Sequence, residues 1–294
     1  MKKFSPLFLI FIGIISIIVI FSVSFYFATL KQSDATTITK EGFNNENPNI
    51  IVSFTTSPKR IIHIEKIIKN IENQTIKPSK IVLNLPFVFK RTNTEFTEMP
   101  VFITDNPLIQ VNRCEDIGPC TKIIPTTKLF TDPETIIISI DDDISYSNSF
   151  IENLLKYSNK NPNAVVTGQS FMRIKSPNND DINYAELVEG YSSVLYKKKF
   201  FDNFDIEKLK EYPKYCYFAD DFIISNYLLK ENIPIIVVDS NEKMIEDAYL
   251  DYGSQGDALK NGADGNTTSN MDNYKKCSAF LKSKNDLHIN YSFE

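Results

Sequence analysis

The chain has 294 residues, 42% hydrophobic and 23% charged, values that fit a globular domain and exclude a disordered or collagen-like chain. Its net charge of -5, with both signs interspersed, offers no basic face for nucleic acid. With 22 Phe and 14 Tyr but no Trp, it can build a large aromatic core.

Met1-Lys2-Lys3 precede an uncharged run over 4–30, dense in Ile, Phe, Val and Leu. Such a run is long enough to span a bilayer as a helix. It exceeds the hydrophobic region of a cleaved signal, and Phe25-Tyr26-Phe27-Ala28 has no A-x-A site. The expected layout is a cytoplasmic N-terminus over 1–4, a transmembrane signal-anchor over 5–30, a polar stem over 31–49 and one folded domain over 50–294. Lys2 and Lys3 keep the N-terminus inside, which makes this a single-pass type II membrane protein with its domain lumenal or extracytoplasmic.

The folded part opens with a strand over 50–54. Ser57 is a candidate N-cap, with Pro58 at the first helical position. Ile61, Ile64, Ile67, Ile68 and Ile71 then recur at helical spacing, and a second strand follows over 80–85. This βαβ unit implies a parallel pair. A third strand is expected over 101–104 and a helix over 121–130.

The stretch over 135–146 reads TIIISIDDDISY: a buried strand running into three consecutive aspartates. If strand alternation continues through them, Asp141 and Asp143 point one way and Asp142 the other. Adjacent carboxylates repel unless a cation sits between them, and oxygen-only donors suit Mg²⁺ or Mn²⁺. A helix over 149–158, strands over 164–168 and 191–196, a helix over 220–231 and a strand over 234–238 complete the pattern. Acidic Asp220 and Asp221 fall in the first turn of that last helix, where its dipole favours them. Beyond Asn241, the polar, glycine-containing stretch over 251–270 predicts long loops or a flexible flap. Alternating strands and helices make this an α/β domain with a mostly parallel sheet.

Four cysteines follow the apolar segment, and four allow three full pairings. The easiest local bridge joins Cys114 to Cys120. Sequons begin at Asn73, Asn266 and Asn290.

Three chemistries compete for the aspartates. A calcium loop of the EF-hand kind would use Asp141, Asp143, Ser145, Ser147, Ser149 and Glu152, but Tyr146 stands where that loop needs Gly. A haloacid-dehalogenase-type phosphatase would use Asp141 as nucleophile and Asp143 as acid/base. Thr167, a lysine among Lys197, Lys198 and Lys199, and the pair Asp220 and Asp221 would complete it. That motif normally opens its domain, and here an α/β unit precedes it.

The third is a nucleotide-sugar glycosyltransferase. In order along the chain stand Ile51-Val52-Ser53-Phe54-Thr55-Thr56-Ser57-Pro58, Asn73-Gln74-Thr75, Lys80-Ile81-Val82-Leu83, Asp116-Ile117-Gly118-Pro119-Cys120-Thr121-Lys122, the D-x-D at Asp141 and Asp143, Glu189-Gly190-Tyr191-Ser192-Ser193-Val194-Leu195-Tyr196, and Ala219-Asp220-Asp221. Together these resemble a GT-A fold glycosyltransferase of the type related to glycosyltransferase family 2, a Rossmann-like single domain.

The resemblance implies a Mn²⁺ or Mg²⁺ cofactor and a nucleotide-sugar donor, UDP-linked. The acceptor would be a hydroxyl on a glycan, glycoprotein or lipid, and transfer would proceed with inversion. Asp143 would bind the cation, and Asp141 the cation or the ribose. Asp116, Lys122, Asp142, Gly190 and Ser192 would hold the donor. Asp221 would be the base, Asp220 would position the acceptor, and His288 would be a third metal ligand. Relatives often carry glycines where Ser192 and Ser193 stand here, which leaves the donor sugar open. The rival without catalysis is a cation-dependent carbohydrate-binding module.

Overall fold

The computed structural model describes residues 49–176, 182–247 and 269–293. The expected cytoplasmic, transmembrane and stem segments lie outside the described residues, save position 49. Among the described residues, no helix is long and apolar enough to cross a membrane.

Runs of Ile and Val dictate the sheet. Its strands are β1 (Ile50–Thr55), β2 (Lys80–Pro86), β3 (Ile109–Cys114), β4 (Ile136–Ser139), β6 (Val165–Thr167), β7 (Arg173–Ile174), β8 (Tyr184–Ala185), β9 (Val194–Lys197) and β10 (Ile235–Val237). β5 (Ser145–Tyr146) pairs apart from them with β11 (Ile245–Asp247). The order in the large sheet is β3-β2-β1-β4-β9-β6-β10-β8-β7. Strands β3, β2, β1 and β4 run parallel, and β9 lies antiparallel between β4 and β6. The α/β class therefore holds, and the sheet is mixed. From β1 the chain first builds outward to β2 and β3, then returns to lay β4 on the other side of β1. That reversal opens a crevice at the C-terminal ends of β1 and β4, where open α/β sheets bind ligands.

Both faces of the sheet are covered. On one, Val52, Phe54 and Ile138 pack against helix α1 (Glu65–Glu72) and helix α2 (Phe150–Lys160). Helix α1 buries Ile67, Ile68 and Ile71, with Ile64 at its start, as their spacing of three and four dictates. Burying each such Ile contributes about 1.5–3 kcal/mol. On the other face, Ile51, Ile137 and Tyr196 pack against helix α4 (Asp220–Lys230) and the buried side of helix α5 (Asn270–Ser283). A one-turn helix α3 (Lys214–Tyr217) precedes α4.

Several expectations are corrected. Residues 101–104 form a helical turn, Val101–Thr104, with Pro100 fixing its entry. The third strand is β3, whose alternation of Ile109 and Val111 with Gln110 and Asn112 suits the edge of a sheet. Residues 120–127 form a 3-10 turn, Cys120–Lys122, and a short helix, Ile124–Thr127, instead of one helix over 121–130. The strand expected from Tyr191 begins at Val194, because Gly190–Ser192 is a 3-10 turn. The loops expected over 251–270 lie outside the described residues as far as position 268; beyond them stands a helix the sequence did not predict, α5, whose Ser269 accepts from the Asp272 amide as an N-cap.

The bridge between Cys114 and Cys120 does not form. Cys216 bonds to Cys277, and both local cysteines are free. Asp116 closes the loop between them instead, accepting from the Gly118 amide at 2.8 Å. Cys120 then turns into the core at 1% exposure. The observed bridge ties α5 to α3 across a sequence separation of 61. Its removal is expected to cost about 4 kcal/mol by the chain-entropy relation for a loop of this size. Urea unfolding of Cys277→Ser against wild type should show this as a lowered midpoint.

Candidate active site

The crevice holds a cleft of about 780 Å³. Its lining includes the C-terminal ends of the parallel strands: Thr55 at the end of β1 and Thr56 after it, Pro86 on β2, and Asp141, Asp142 and Asp143 after β4. Asp220 and Asp221 at the N-terminus of α4 face it, and Tyr217, Met271 and Tyr274 line its rim. The two acidic groups, 79 positions apart from Asp141 to Asp220 in the sequence, thus share one cavity.

The aspartates do not alternate. The strand ends at Ser139 and the chain turns, so Asp141 faces Lys122 while Asp142 and Asp143 both face Arg60. Lys122 Nζ lies 2.9 Å from Asp141 Oδ1 and 3.1 Å from Asp220 Oδ2, bridging the two acidic groups. Burial alone would pull this ammonium down, but Asp141, Asp220 and Asp221 outweigh it and hold its pKa well above the ordinary value. Asp142 is the most enclosed of the three, accepting from Thr56 Oγ1 at 2.6 Å and from Arg60 Nη1 at 2.8 Å. Burial still raises its pKa.

Asp143 is held more loosely, 3.3 Å from Arg60 Nη1. Burial, then the charges of Asp141 and Asp142, push its pKa from 3.8 to about 6. The folded protein therefore binds this proton more tightly than the unfolded chain does. The resulting stability is complete below about pH 3.8 and is lost as pH rises through about 6. The loss is on the order of 3 kcal/mol. Asp143→Asn should remove this dependence, so that in EDTA the variant gains thermal stability over wild type between pH 4 and pH 7.

Asp221 Oδ1 accepts from the Gly190 amide at 3.1 Å. Burial, then Asp220, push its pKa well up from the carboxylate range. A Cβ added at Gly190 would stand 2.5 Å from Lys122 Nζ and 2.9 Å from Asp221 Oδ1, so any side chain there would displace the ends of both site residues. Ser193 adopts φ 70°, ψ 143°, a conformation that costs a side-chain-bearing residue about 1–3 kcal/mol. The strain falls on a position where the resemblance leads one to expect glycine.

Other expected site residues are placed differently. Ser192 is fully buried, its hydroxyl donating to the Glu189 carbonyl and accepting from the Gln169 amide, so it braces the loop and does not face the donor side. Asp116 lines the cleft, but its carboxylate is already engaged by the Lys90 and Gly118 amides and the Tyr217 hydroxyl. His288 does not join the aspartates. Its amide donates to Asn226 Oδ1, beyond the first turn of α4, and its Nε2 lies 3.9 Å from Asp286. Glu186 accepts from the Asn290 and Tyr291 amides and straps the tail in that position.

Sequence reasoning missed Arg60, Thr56 and Tyr146. Thr56 follows β1 directly and Arg60 lies five residues beyond its end, so a general rule about strand ends points to this segment. Tyr146, fully buried, donates to the Tyr191 carbonyl and accepts from the Asp141 amide, stapling two loops of the site. Nothing in its local sequence signals that role.

The donor set suits a divalent cation in one respect. Asp141 and Asp143 offer oxygen at side-chain exposures of 31% and 20%, on the cleft side. Among the described residues no three Asp, Glu, His or Cys side chains gather as a complete cage. The protein would thus supply part of a coordination sphere, as with Mg²⁺ completed by substrate phosphates. The lysines that the phosphatase reading requires do not meet Asp141. Lys197 and Lys199 pair with Glu134 before β4, at the opposite end of that strand from Asp141, and Lys198 pairs with Asp202.

Compared with known proteins, the chain matches no family model and no curated protein.

Proposed function

We propose that this chain is a metal-dependent glycosyltransferase of GT-A architecture. It transfers a sugar from a nucleotide-sugar donor, UDP-linked, to an acceptor hydroxyl on a glycan, glycoprotein or lipid, with inversion. The observation that carries the reading is the joining of the D-x-D corner to Asp220 through Lys122, with Asp221 lining the same cleft at the switch between β1 and β4. Its volume, about 780 Å³, suits a nucleotide sugar.

In this reading Asp143 and Asp141 would hold Mn²⁺ or Mg²⁺. When bound, the ion would supply positive charge to offset that building on the departing nucleoside diphosphate. Lys122, fixed between Asp141 and Asp220, adds a second positive charge on the leaving-group side. Asp221 takes the proton from the acceptor hydroxyl, its raised pKa lying in the direction a general base needs. Asp220 keeps Lys122 in place. The N-terminal apolar run anchors the domain on the extracytoplasmic side, where an oxidising environment sustains the disulfide.

Nucleotide-sugar hydrolysis with Mn²⁺ is the test. The protein should release nucleoside diphosphate slowly, and Asp143→Ala should lose that release. Inorganic phosphate as the product sinks the proposal in favour of a phosphatase. Sugar binding without any turnover marks a carbohydrate-binding module.

A further inference from the structure

We infer that Arg60 holds the place of the divalent cation on Asp143, then yields Asp143 to it and turns to the donor's diphosphate. This inference rests on the glycosyltransferase reading above.

Arg60 is the cation already seated on the triple-aspartate corner. A single nitrogen, Nη1, serves two carboxylates: Asp142 Oδ1 at 2.8 Å and Asp143 Oδ2 at 3.3 Å. A guanidinium binds a carboxylate best as a fork, with two parallel bonds to one partner. Sharing Nη1 between two aspartates forgoes that geometry. The two contacts are also unequal. Asp142 has a second donor in Thr56 Oγ1 at 2.6 Å, so that carboxylate is fixed from two sides. Asp143 has the longer contact and the more exposed side chain, 20% against 9%. The pair therefore has one firm arm and one loose arm, and the loose arm ends on the more exposed of the two aspartates.

A divalent cation carries twice the charge of a guanidinium, and Mg²⁺ approaches its oxygen ligands to about 2.0–2.1 Å. It outcompetes Arg60 for Asp143, and its charge then repels the guanidinium nearby. Arg60 is still tethered beside Asp142 and lines the same cleft. A planar guanidinium is well suited to phosphate. In the loaded site it becomes a further cation on the diphosphate, besides Lys122. Two linkages follow. Arg60 weakens cation binding when no nucleotide is present, and it strengthens the coupling between cation and nucleoside diphosphate.

The test is Mn²⁺ binding followed by electron paramagnetic resonance, with and without UDP, for wild type, Arg60→Gln and Arg60→Lys. Without UDP, Arg60→Gln should bind Mn²⁺ at least about tenfold more tightly than wild type, since a like charge has been removed from beside the site. It should also lose most of the strengthening that UDP brings to wild type. Arg60→Lys should fall between the two. Unchanged or weaker Mn²⁺ binding by a folded Arg60→Gln overturns the inference. If wild type still binds UDP in a Mn²⁺-dependent way, the glycosyltransferase reading survives that result. A wild-type protein that binds no Mn²⁺ overturns both. Should Arg60→Gln fail to fold, the ¹⁵N signal of the wild-type Arg60 Nε decides. Saturating Mg²⁺ should shift it and speed its hydrogen exchange, and an unmoved signal overturns the inference.

Discussion

Replacing Asp221 with Asn is expected to lower the rate of sugar transfer by about 10²–10⁴-fold, the usual contribution of a general base. Donor binding should be nearly unchanged, because Lys122 and the D-x-D corner remain. Asn can still accept from the Gly190 amide, so the loop that Asp221 braces is kept. The pH profile gives an independent readout. Only the ionised carboxylate accepts the proton, so wild-type activity should fall as pH drops through the Asp221 pKa. Because burial and Asp220 raise that pKa, the acid limb should lie well above the ordinary carboxylate value of 3.8. Steady-state kinetics of both proteins across pH, with nucleotide release as the signal, decides. An Asp221→Asn enzyme of wild-type rate would remove Asp221 from the chemistry.

The second large effect is on stability. Lys122→Met is expected to cost about 3–5 kcal/mol, the penalty for removing one partner of a buried ion pair. Lys122 is 8% exposed, and its loss leaves Asp141, Asp220 and Asp221 together without the cation that offsets them. Urea unfolding at pH 7 should show a lowered midpoint at an unchanged slope. Adding Asp220→Asn should return part of the loss, because one of the stranded charges is then gone. An additive pair of effects would mean that the two residues do not interact as their 3.1 Å separation indicates. Lowering the pH should also narrow the gap between wild type and Lys122→Met, as the stranded carboxylates take up protons.

Most of the elements were legible because their signals are local. The Ile spacing along α1, the β-branched runs of β1, β2 and β4, and the acidic first turn of α4 each lie within a dozen residues. Their periodicity alone identifies strand or helix. One missed element also carried a local signal: Ser269 and Asp272 form an N-cap pair at the start of α5. The turn over Val101–Thr104 shows the limit of such signals, since a short apolar run bounded by proline reads equally as a strand.

For the candidate site, sequence alone determined that carboxylates stand at a strand end and at a helix start. The tertiary structure decided what each of them meets. Strand alternation predicts opposite directions for Asp142 and Asp143, but the chain leaves the strand after Ser139 and both turn to Arg60, more than 80 positions earlier in the chain. The burial of Lys122 between two acidic groups, the partner of Cys216 and the exclusion of His288 from the cleft have the same origin. A periodic pattern records which face of its own element a residue occupies. Charges and sulfurs from distant segments become neighbours only once the sheet has closed and fixed how the connections cross it.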